Sequence, residues 1–533
     1  MGVGVSCTFL CVGNFIESAD RYMKGGSNMS VITVNHITFY YEGSAETVFE
    51  DVSFQLDTDW KLGFIGRNGK GKTTFLKLLM GAYEYRGTIS ASTVFDYFPF
   101  EVLYPEHTTL QVVEETAPDV ELWMVCRELN ELQIAEDIWD RPFYSLSYGE
   151  RTKVLLAVLF ARENHFLLID EPTNHLDMET REAVSRYLNS KKGFILVSHD
   201  RNFLDGCIDH VLSLNRSNIE VVQGNFSSFW ENKKRRDAFE LAENERLKKD
   251  IRRLSEAAKK AGKWADEVES TKIGEKSEKY EKCIDTRAYV GEKSRRMQQR
   301  RKNLERRKNR EIEEKEGLLH NIEEVAELQL RPLRFHKEVL AQVKELSLYY
   351  PGQGDAAADG MRRIFAPVSF QVRNGDRIVL QGRNGSGKSS VIKYLLGEDI
   401  SATGLVTTQS GLKISYVAQD ADNLCGTLRD YIREHQLEER LMKQFLRKMD
   451  FEREQFEKRL EKYSAGQKKK VLLAKSLCEQ AHLYIWDEPL NYIDIFSRMQ
   501  LEELILKYAP TMILVEHDKS FVERVATKVV KMV

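Results

Sequence analysis

Cysteine is scarce in this sequence and is arranged in none of the patterns that build disulfide frameworks or zinc sites. The seven Cys residues are scattered among 533 residues and include no C-x-x-C pair, which is typical of a cytosolic protein with reduced thiols. Uninterrupted apolar runs of roughly 18 residues are also missing, so we expect no membrane-spanning helix. The first residues lack the basic stretch that opens a signal peptide.

Charge of one sign is not in excess either, because the formal net charge is -3. A chain with this balance has no overall preference for polyanions, so any surface that binds nucleic acid must be local. Hydrophobic residues make up 42% of the chain, which is ample for packed cores. A length of 533 residues exceeds what one core usually organises, and we therefore expect two or more domains.

A glycine-rich segment of one pattern occurs twice. The two copies read Gly66-Arg67-Asn68-Gly69-Lys70-Gly71-Lys72-Thr73 and Gly382-Arg383-Asn384-Gly385-Ser386-Gly387-Lys388-Ser389. In such a loop the backbone N–H groups cradle phosphates, the Lys reaches the β- and γ-phosphates, and the Thr or Ser hydroxyl ligates Mg²⁺. Each copy follows an apolar run and opens a helix-like run, as the motif requires. The duplication favours two nucleotide sites over two glycine turns that bind nothing.

Pairs of carboxylates end an apolar run in each half of the sequence. Asp170 and Glu171 follow one such run, and Asp487 and Glu488 follow another. The first acid of each pair suits the Mg²⁺ shell, and the second can hold an attacking water. A lone His after a strand is usually a satisfied turn or core residue. His199 and His517, however, follow the next apolar runs at matched places, which favours a catalytic role.

These motifs recur about 317 residues apart, which indicates an internal repeat of one α/β domain. We assign residues 29–230 to a first ATPase domain, with a small helical insertion at about 103–145. Residues 331–533 form the second domain, and residues 231–330 form an interdomain linker. Residues 1–28 are interpreted as a disordered leader or extension. The alternative is that their start, Met1-Gly2-Val3-Gly4-Val5-Ser6, is a myristoylation signal, a short and common pattern.

The linker is the most highly charged stretch of the chain. Residues 231–320 contain 28 Lys and Arg against 20 Asp and Glu, and most of the basic excess lies in 291–310. Apolar residues recur at helical spacing on both sides of a segment at about 265–290, which predicts two antiparallel helices of about 30 residues and 45 Å joined by a tip loop. A solvated charged linker is the alternative. A basic arm on a nearly neutral protein suggests a nucleic-acid surface.

The motifs together resemble those of ABC-type ATPases. The resemblance rests on the paired loops, the segments 146–150 and 463–467, and the run Asp-Glu-Pro-Thr-Asn-His-Leu-Asp at 170–177. Two such domains with a charged helical linker resemble the ABC-F family over residues 29–533. Within it, the chain looks most like the antibiotic-resistance proteins of the Lsa-like group. The fold implied is α/β: two tandem ABC-type P-loop ATPase domains joined by a long antiparallel α-helical hairpin linker.

The resemblance implies two composite ATP sites between the halves, with ATP and Mg²⁺ as cofactors. Site one combines Lys72, Thr73, Asp170, Glu171 and His199 with Ser464 and Gly466. Site two combines Lys388, Ser389, Asp487, Glu488 and His517 with Ser147 and Gly149. The implied ATP-binding set also includes Tyr41 and Tyr350, which would stack on adenine, the other residues of both loops, and the following Thr74 and Ser390. Glu171 and Glu488 would orient water, and the two histidines would contact the γ-phosphate. The implied metal ligands are Thr73, Asp170, Ser389, Gln419 and Asp487.

Two departures from the family pattern affect the sites. Gln419 supplies the glutamine expected near the Mg²⁺ and water of site two, whereas the matching place in the first half is Phe100, which cannot ligate metal. Tyr148 and Ala465 replace the first glycine of each signature segment, although Gly149 and Gly466 remain. We therefore expect two working but unequal sites.

The resemblance further implies a cytoplasmic ATP hydrolase that binds the 70S ribosome at the tRNA exit site. There it would contact 23S rRNA and the P-site tRNA and protect against lincosamides, pleuromutilins and streptogramin A. It implies no membrane partner, no DNA, and a monomer whose two halves form the ATPase dimer. Trp264, Ile284 and Tyr289 near the tip would contact the ribosome and set drug specificity, or else pack the tip loop. The alternatives are a housekeeping translation factor that relieves stalled ribosomes and the ATPase subunit of a transporter.

Overall fold

The computed structural model describes residues 30–41, 47–174, 176–214, 219–270, 299, 306–307, 330–351, 361–421, 424–449, 451 and 453–532. These residues form two α/β halves with matched topology, each built on a sheet whose central strands are parallel. The central strands are buried on both faces and read as apolar runs, as parallel strands covered by helices do. The predicted fold class is thus confirmed for the two tandem domains.

The first half contains two sheets. A three-stranded antiparallel sheet has the order β2-β1-β4, and a six-stranded sheet has the order β5-β6-β7-β3-β8-β9 with β9 alone antiparallel to its neighbour. The strands are β1 (Val31–Tyr40), β2 (Thr47–Asp57), β3 (Lys61–Gly66), β4 (Arg86–Ser90), β5 (Val94–Phe98), β6 (His165–Asp170), β7 (Phe194–Val197), β8 (His210–Leu214) and β9 (Ile219–Gln223). The helices are α1 (Lys72–Leu79), α2 (Thr109–Thr116), α3 (Leu122–Glu131), α4 (Tyr148–Phe160), α5 (Met178–Ser190) and α6 (Arg201–Cys207), with 3₁₀ turns at Glu136–Ile138 and Phe143–Ser145. Helices α2 and α3 lie in the predicted insertion.

The second half repeats this arrangement with a four-stranded antiparallel sheet and a five-stranded parallel sheet of order β15-β16-β17-β13-β18. Its strands are β10 (Val339–Pro351), β11 (Met361–Arg363), β12 (Val368–Arg373), β13 (Arg377–Gln381), β14 (Ser401–Thr408), β15 (Ile414–Val417), β16 (Leu483–Asp487), β17 (Met512–Val515) and β18 (Lys528–Lys531). Its helices are α8 (Lys388–Leu395), α9 (Leu428–Glu434), α10 (Glu439–Lys448), α11 (Ala465–Cys478), α12 (Ile495–Tyr508) and α13 (Lys519–Val525), with 3₁₀ turns at Arg453–Glu457 and Leu460–Lys462.

A long helix, α7 (Phe226–Ser270), leaves the first half and spans 45 residues. It begins five residues before the predicted linker boundary at 231, because Phe226 and Phe229 pack into the core of the first half. It also continues through residues 265–270, which we assigned to the tip loop; these residues contain neither Gly nor Pro to end a helix.

The rest of the predicted hairpin lies almost wholly outside the described residues, and so do Ile284, Tyr289 and the leader 1–28. The backbone of Trp264 lies within α7. None of the helices in the described parts of the chain has both the length and the apolar character that a membrane crossing needs.

The base of α7 also touches the second half. The rings of Trp230 and Phe496 lie 5.6 Å apart between centroids, and the Lys233 ammonium lies 4.7 Å from the Phe496 ring centroid. Phe496 belongs to the first turn of α12. The core cluster of the first half extends in the same direction, since it includes Ile495 and Met499. The two halves and the linker helix therefore share one packed junction.

Candidate functional site

The first glycine-rich loop lies between β3 and α1, where it closes around its own lysine. Lys72 is buried, and its Nζ donates to the carbonyl oxygens of Gly66 at 2.8 Å and Arg67 at 3.1 Å. Gly71 has φ of 100°, and a Cβ there would lie 2.5 Å from Val48 Cγ1, so only glycine fits. The loop thus holds an ammonium at a helix N-terminus, a combination that suits a phosphate.

The acidic residues of site one lie at the carboxyl end of β6. Asp170 Oδ2 accepts hydrogen bonds from Thr73 Oγ1 at 2.7 Å and from Tyr97 OH at 3.0 Å. His199 Nε2 lies 3.1 Å from Glu171 Oε1, although that oxygen has no well-aligned hydrogen-bond donor among the described residues. Burial, reinforced by Asp170, raises the pKa of Glu171 to about 8. Burial and the Lys72 charge hold the pKa of His199 well below its usual value.

Site one is a cleft between the halves with a volume of about 370 Å³. The first half contributes Asn68, Gly69, Glu171, Asn174 and His199, and the second half contributes Phe451, Gln455, Ser464, Ala465, Gly466, Gln467, Lys470 and Tyr492. Asn68 Nδ2 crosses the cleft and donates to the carbonyl of Tyr492 at 2.9 Å. The structure therefore brings Glu171 and His199 to the same cleft as Ser464 and Gly466.

The signature serines cap the helices that face the opposite half. Ser464 Oγ accepts from the Gln467 N–H at the start of α11, and the Gln467 side chain accepts from the Ser464 N–H. Ser147 and Glu150 form the same reciprocal box at the start of α4. A Cβ at Gly466 would lie 3.1 Å from the Tyr492 carbonyl oxygen, which is closer than most Cβ atoms come. The helix N-termini are thereby fixed where an anion could approach.

The second loop repeats the geometry of the first. Lys388 Nζ donates to the carbonyls of Gly382 at 2.9 Å and Arg383 at 2.8 Å. Gly387 has φ of 84°, and a Cβ there would lie 2.8 Å from the Phe365 ring. The side chain of Ser389 hydrogen-bonds Asp487, as Thr73 does with Asp170 in site one. Both loops thus present one lysine and one hydroxyl in the same way.

The carboxylate of Glu488 is held by two amides in site two. Its Oε2 accepts from Gln419 Nε2 at 3.1 Å and from Asn491 Nδ2 at 2.7 Å. His517 Nε2 lies 3.8 Å from Glu488 Oε1, beyond hydrogen-bond distance. Burial raises the pKa of Asp487 to about 6 and lowers that of His517 to about 3. Asp487 Oδ1 has no hydrogen-bond partner among the described residues.

The second loop also meets the first half. The carboxylate of Asp177 accepts a hydrogen bond from the Asn384 backbone N–H. Arg383 Nη2 lies 2.8 Å from Glu179 Oε2. Asp177 is the N-cap of α5, and Glu179 lies in the first turn of that helix. Thr180, the residue after Glu179, packs against Gly149. The first-half signature segment is therefore linked to the second loop through the start of α5.

The two tyrosines expected at adenine occupy matched positions at the ends of β1 and β10. Tyr41 OH lies 2.6 Å from Thr74 Oγ1, and Tyr350 OH lies 3.3 Å from Ser390 Oγ. Both rings are partly exposed. Each tyrosine thus stands beside the residue that follows the loop, where it could face a base.

Strand register places Phe100 and Gln419 at equivalent positions. Phe98 pairs with the residue before Asp170, and Val417 pairs with the residue before Asp487. The residue two places further along is Phe100 in the first half and Gln419 in the second. Phe100 packs against the core of the first half. The two sites therefore differ in the side chain at this place in the fold.

The residues present fit ATP with Mg²⁺. Each loop offers a buried lysine, a helix N-terminus and glycine positions that leave the backbone open. Each site adds a hydroxyl from the first turn of the helix after the loop and a carboxylate from a strand end, and both groups suit a hard cation. Among the described residues there is no group of three or more His, Cys, Asp or Glu that could hold a metal alone.

Several residues that lie at the sites were given no role from the sequence. Asn174 and Asn491 occupy matched places, so their duplication was a signal that could have identified them. Tyr97, which contacts Asp170, is matched by Tyr416 in the same strand register, so duplication could have identified it as well. Lys469 and Lys470 follow the second signature segment within a run of three lysines that the first half does not repeat.

Arginine and glutamate form a buried bridge between the halves away from the sites. Arg201 Nη2 lies 3.0 Å from Glu502 Oε2, and both side chains are almost fully buried. Arg524 Nη1 lies 3.3 Å from the same oxygen. On the other side of the interface Lys519, the counterpart of Arg201, lies 3.1 Å from Glu182, and both of these side chains are about half exposed. The interface is thus held by ion pairs of very different burial.

The buried carboxyl group of Glu516 should make the stability of the folded protein depend on pH. It is buried beside His517, accepts from the Leu490 and His517 N–H groups, and burial raises its pKa from 4.5 to about 7. The folded state then binds this proton more tightly than the unfolded state, so stability falls as pH rises from 4.5 to 7. We expect Glu516→Gln to stabilise the protein by about 1–3 kcal/mol at pH 8.

The gain from Glu516→Gln should nearly vanish near pH 4.5, where Glu516 is protonated in the folded state. Thermal melting of both proteins across this pH range measures the difference. A stabilisation that is the same at every pH would contradict the assignment.

The family comparison matches both halves of the chain. The family model described as "ABC transporter" matches residues 49–174 and 365–491. Each match begins within the antiparallel sheet and ends just after the paired acids, so it contains the loop, the signature segment and both carboxylates.

Curated relatives are similar over nearly the whole chain. A protein named "Ribosome protection protein VmlR" from Bacillus subtilis is 26% identical over 505 residues, covering 93% of this chain and 85% of that protein. The "Energy-dependent translational throttle protein EttA" of Haemophilus influenzae is 25% identical over 535 residues, covering 90% and 88%. Among solved structures, the archaeal ribosome recycling factor aABCE1, in complex with the stalk protein aP1, superposes with a TM-score of 0.59 at 17% identity, covering 93% and 87%. This last likeness concerns the fold alone.

Proposed function

Because the chain is an ATP hydrolase of the ABC-F family with two tandem ABC domains, we propose that it binds the bacterial ribosome at the tRNA exit site. There it would use ATP to protect the peptidyl-transferase centre from antibiotics. The observation that carries this proposal is the junction at which a 45-residue charged helix leaves the interface between two ATP clefts. Such a helix can transmit the closing movement of the two halves to a distant surface. The name of the relative VmlR supports protection, and that of EttA supports action in translation.

Different residues of each site would bind the phosphates and the Mg²⁺ ion. Lys72 and Lys388 would hold the β- and γ-phosphates, and Thr73 with Asp170 and Ser389 with Asp487 and Gln419 would hold Mg²⁺. When bound, Mg–ATP supplies the phosphoryl group that is cleaved.

The other residues of each site would contact the attacking water and the γ-phosphate. Glu171 and Glu488 would orient the attacking water. The lowered pKa values keep His199 and His517 neutral, so each can donate a hydrogen bond to the γ-phosphate without adding a cation. Ser464 and Ser147 would complete each site from the opposite half.

The proposed partners follow from the linker and from the interface. The linker contains more basic than acidic residues, which suits binding to the phosphate backbones of 23S rRNA and the P-site tRNA. The two halves meet within one chain, so a monomer can contain the complete ATPase dimer. The proposed partner, the ribosome, places the protein in the cytoplasm. Lincosamides, pleuromutilins and streptogramin A are the proposed drugs, as they are for the Lsa-like group that the sequence resembles. The roles of Trp264, Ile284 and Tyr289 at the tip stay predictions.

The double variant Glu171→Gln/Glu488→Gln tests the proposal. It should retain ATP, lose hydrolysis by roughly 100-fold or more, and accumulate on ribosomes when ATP is present. Sedimentation with 70S ribosomes measures this accumulation, and Lys72→Ala/Lys388→Ala is the matched control, because it should neither hold ATP nor sediment. A drug-sensitive host should gain resistance from the wild-type chain and from neither variant.

The outcomes separate the candidate functions. Absence of ribosome binding in every nucleotide state would refute the proposal, and recovery with membrane proteins instead would favour a transporter subunit. Ribosome binding without any change in drug susceptibility would favour a housekeeping translation factor, the second candidate that the similarity to EttA supports.

A further inference from the structure

The side chain of Lys469 is buried beneath site two and points at backbone oxygens. Lys469 is only 2% exposed. Its Nζ donates to the carbonyls of Ala418 at 2.8 Å, Gln419 at 3.0 Å and Asp487 at 3.1 Å. An ammonium has three donors, so these three carbonyls can use all of them. Burying a cation is costly, and this one makes no ion pair with any described carboxylate within 4.0 Å.

The three carbonyls belong to two separate parts of site two. Ala418 and Gln419 follow β15, whereas Asp487 is the last residue of β16. The Gln419 amide reaches from the first part to the second, since it donates to Glu488 Oε2 at 3.1 Å. Lys469 therefore ties the backbone that carries Gln419 to the strand end that carries Glu488.

Site one lacks both members of this arrangement. Lys469 comes five residues after the signature serine Ser464, and the residue five places after Ser147 is Thr152. Thr152 is also buried, but it has no ammonium. Phe100 stands at the place of Gln419. The lysine and the glutamine thus occur together in site two and are absent together from site one.

We propose that Lys469 is a positioning residue of site two, which fixes the Ala418–Gln419 backbone against the end of β16 so that the Gln419 amide holds Glu488. The glutamate is then oriented before nucleotide arrives, and the lysine itself touches neither water nor phosphate. This inference concerns the hydrolytic site alone and stands whether or not the ribosome is the partner.

The test uses the full chain with Glu171→Gln, so that site two supplies the remaining hydrolysis. In this background Lys469→Met should lower kcat by about tenfold, because a small misplacement of the glutamate is enough to do so. KM for ATP should change by less than about twofold, since the loop that binds phosphate is untouched. Thr152→Val is the matched control at the related buried position and should leave kcat unchanged.

A double-mutant cycle distinguishes positioning from independent effects. If Lys469 acts through Gln419, then Lys469→Met/Gln419→Ala should be no slower than Gln419→Ala alone. Losses that multiply in the double variant would overturn the proposal, as would a large rise in KM with kcat unchanged.

Amide hydrogen exchange of the nucleotide-free protein gives a readout that does not depend on hydrolysis. Lys469→Met should speed exchange in residues 416–421 and leave the related residues 97–102 unchanged. Lys469→Gln, which keeps one donor, should have a smaller effect at the same place. If both variants instead exchange faster throughout the second half, the lysine is a general structural residue and the proposal is wrong.

Discussion

Glu488→Gln is expected to remove most of the ATP hydrolysis of this protein, whereas Glu171→Gln is expected to leave most of it. Loss of the residue that orients water should slow its own site by roughly 100-fold or more. Site two holds Glu488 between Gln419 and Asn491 and leaves Asp487 Oδ1 without a described partner. In site one, Tyr97 occupies an Asp170 oxygen, and Phe100 offers no ligand. Site two should therefore carry the faster turnover.

Phosphate release at saturating ATP measures this inequality. Both single variants should bind nucleotide as the wild type does, because Lys72 and Lys388 are unchanged, and equilibrium binding controls for this. Gln419→Phe, which gives site two the side chain of site one, should reproduce most of the loss caused by Glu488→Gln. Equal losses from the two glutamate variants would show that the sites are functionally alike.

Glu502→Leu is expected to cause the largest loss of stability among single changes at the interface. Glu502 is 0% exposed and bridges Arg201 of the other half and Arg524 of its own. Its removal leaves Arg201 buried without its carboxylate, and breaking a buried pair in this way typically costs about 3–5 kcal/mol. We expect a lower melting temperature and weaker association between the halves.

The control for Glu502→Leu is the exposed Lys519–Glu182 pair on the other side of the interface. Glu182→Ala removes the partner of Lys519, and because both side chains are about half exposed it should cost less than about 1 kcal/mol. Arg201→Met/Glu502→Leu removes both charges and should recover much of the loss. Thermal melting of the four proteins decides the question, and equal effects of Glu502→Leu and Glu182→Ala would contradict the role given to burial.

Local features that occur twice could be predicted from the sequence. The loops, the paired acids and the strands before them follow from short motifs and apolar runs, and the structure has β6 and β16 ending at Asp170 and Asp487. The inequality at Phe100 was visible because the second half supplied a reference. Duplication thus served as an internal comparison.

Features that depend on packing between distant segments could not be predicted in this way. Arg201 and Glu502 are 301 residues apart, and nothing in either neighbourhood marks them as partners. The early start of α7 depends on Phe226 and Phe229 finding a core that exists only after folding. Lys469 reads as one more surface lysine until the fold places three carbonyls around it.

The contact of Phe496 with Trp230 and Lys233 has a mechanical consequence. Phe496 lies just after the segment through which the second half touches Asn68 of site one, so a rigid rotation of that half must also push on the base of α7. The 45 residues of α7 extend about 67 Å, and a tilt of about 5° at the base would displace the far end by about 6 Å. In the proposed function the helix would then act as a lever, which would convert a small rotation of the second half into a much larger displacement at its far end.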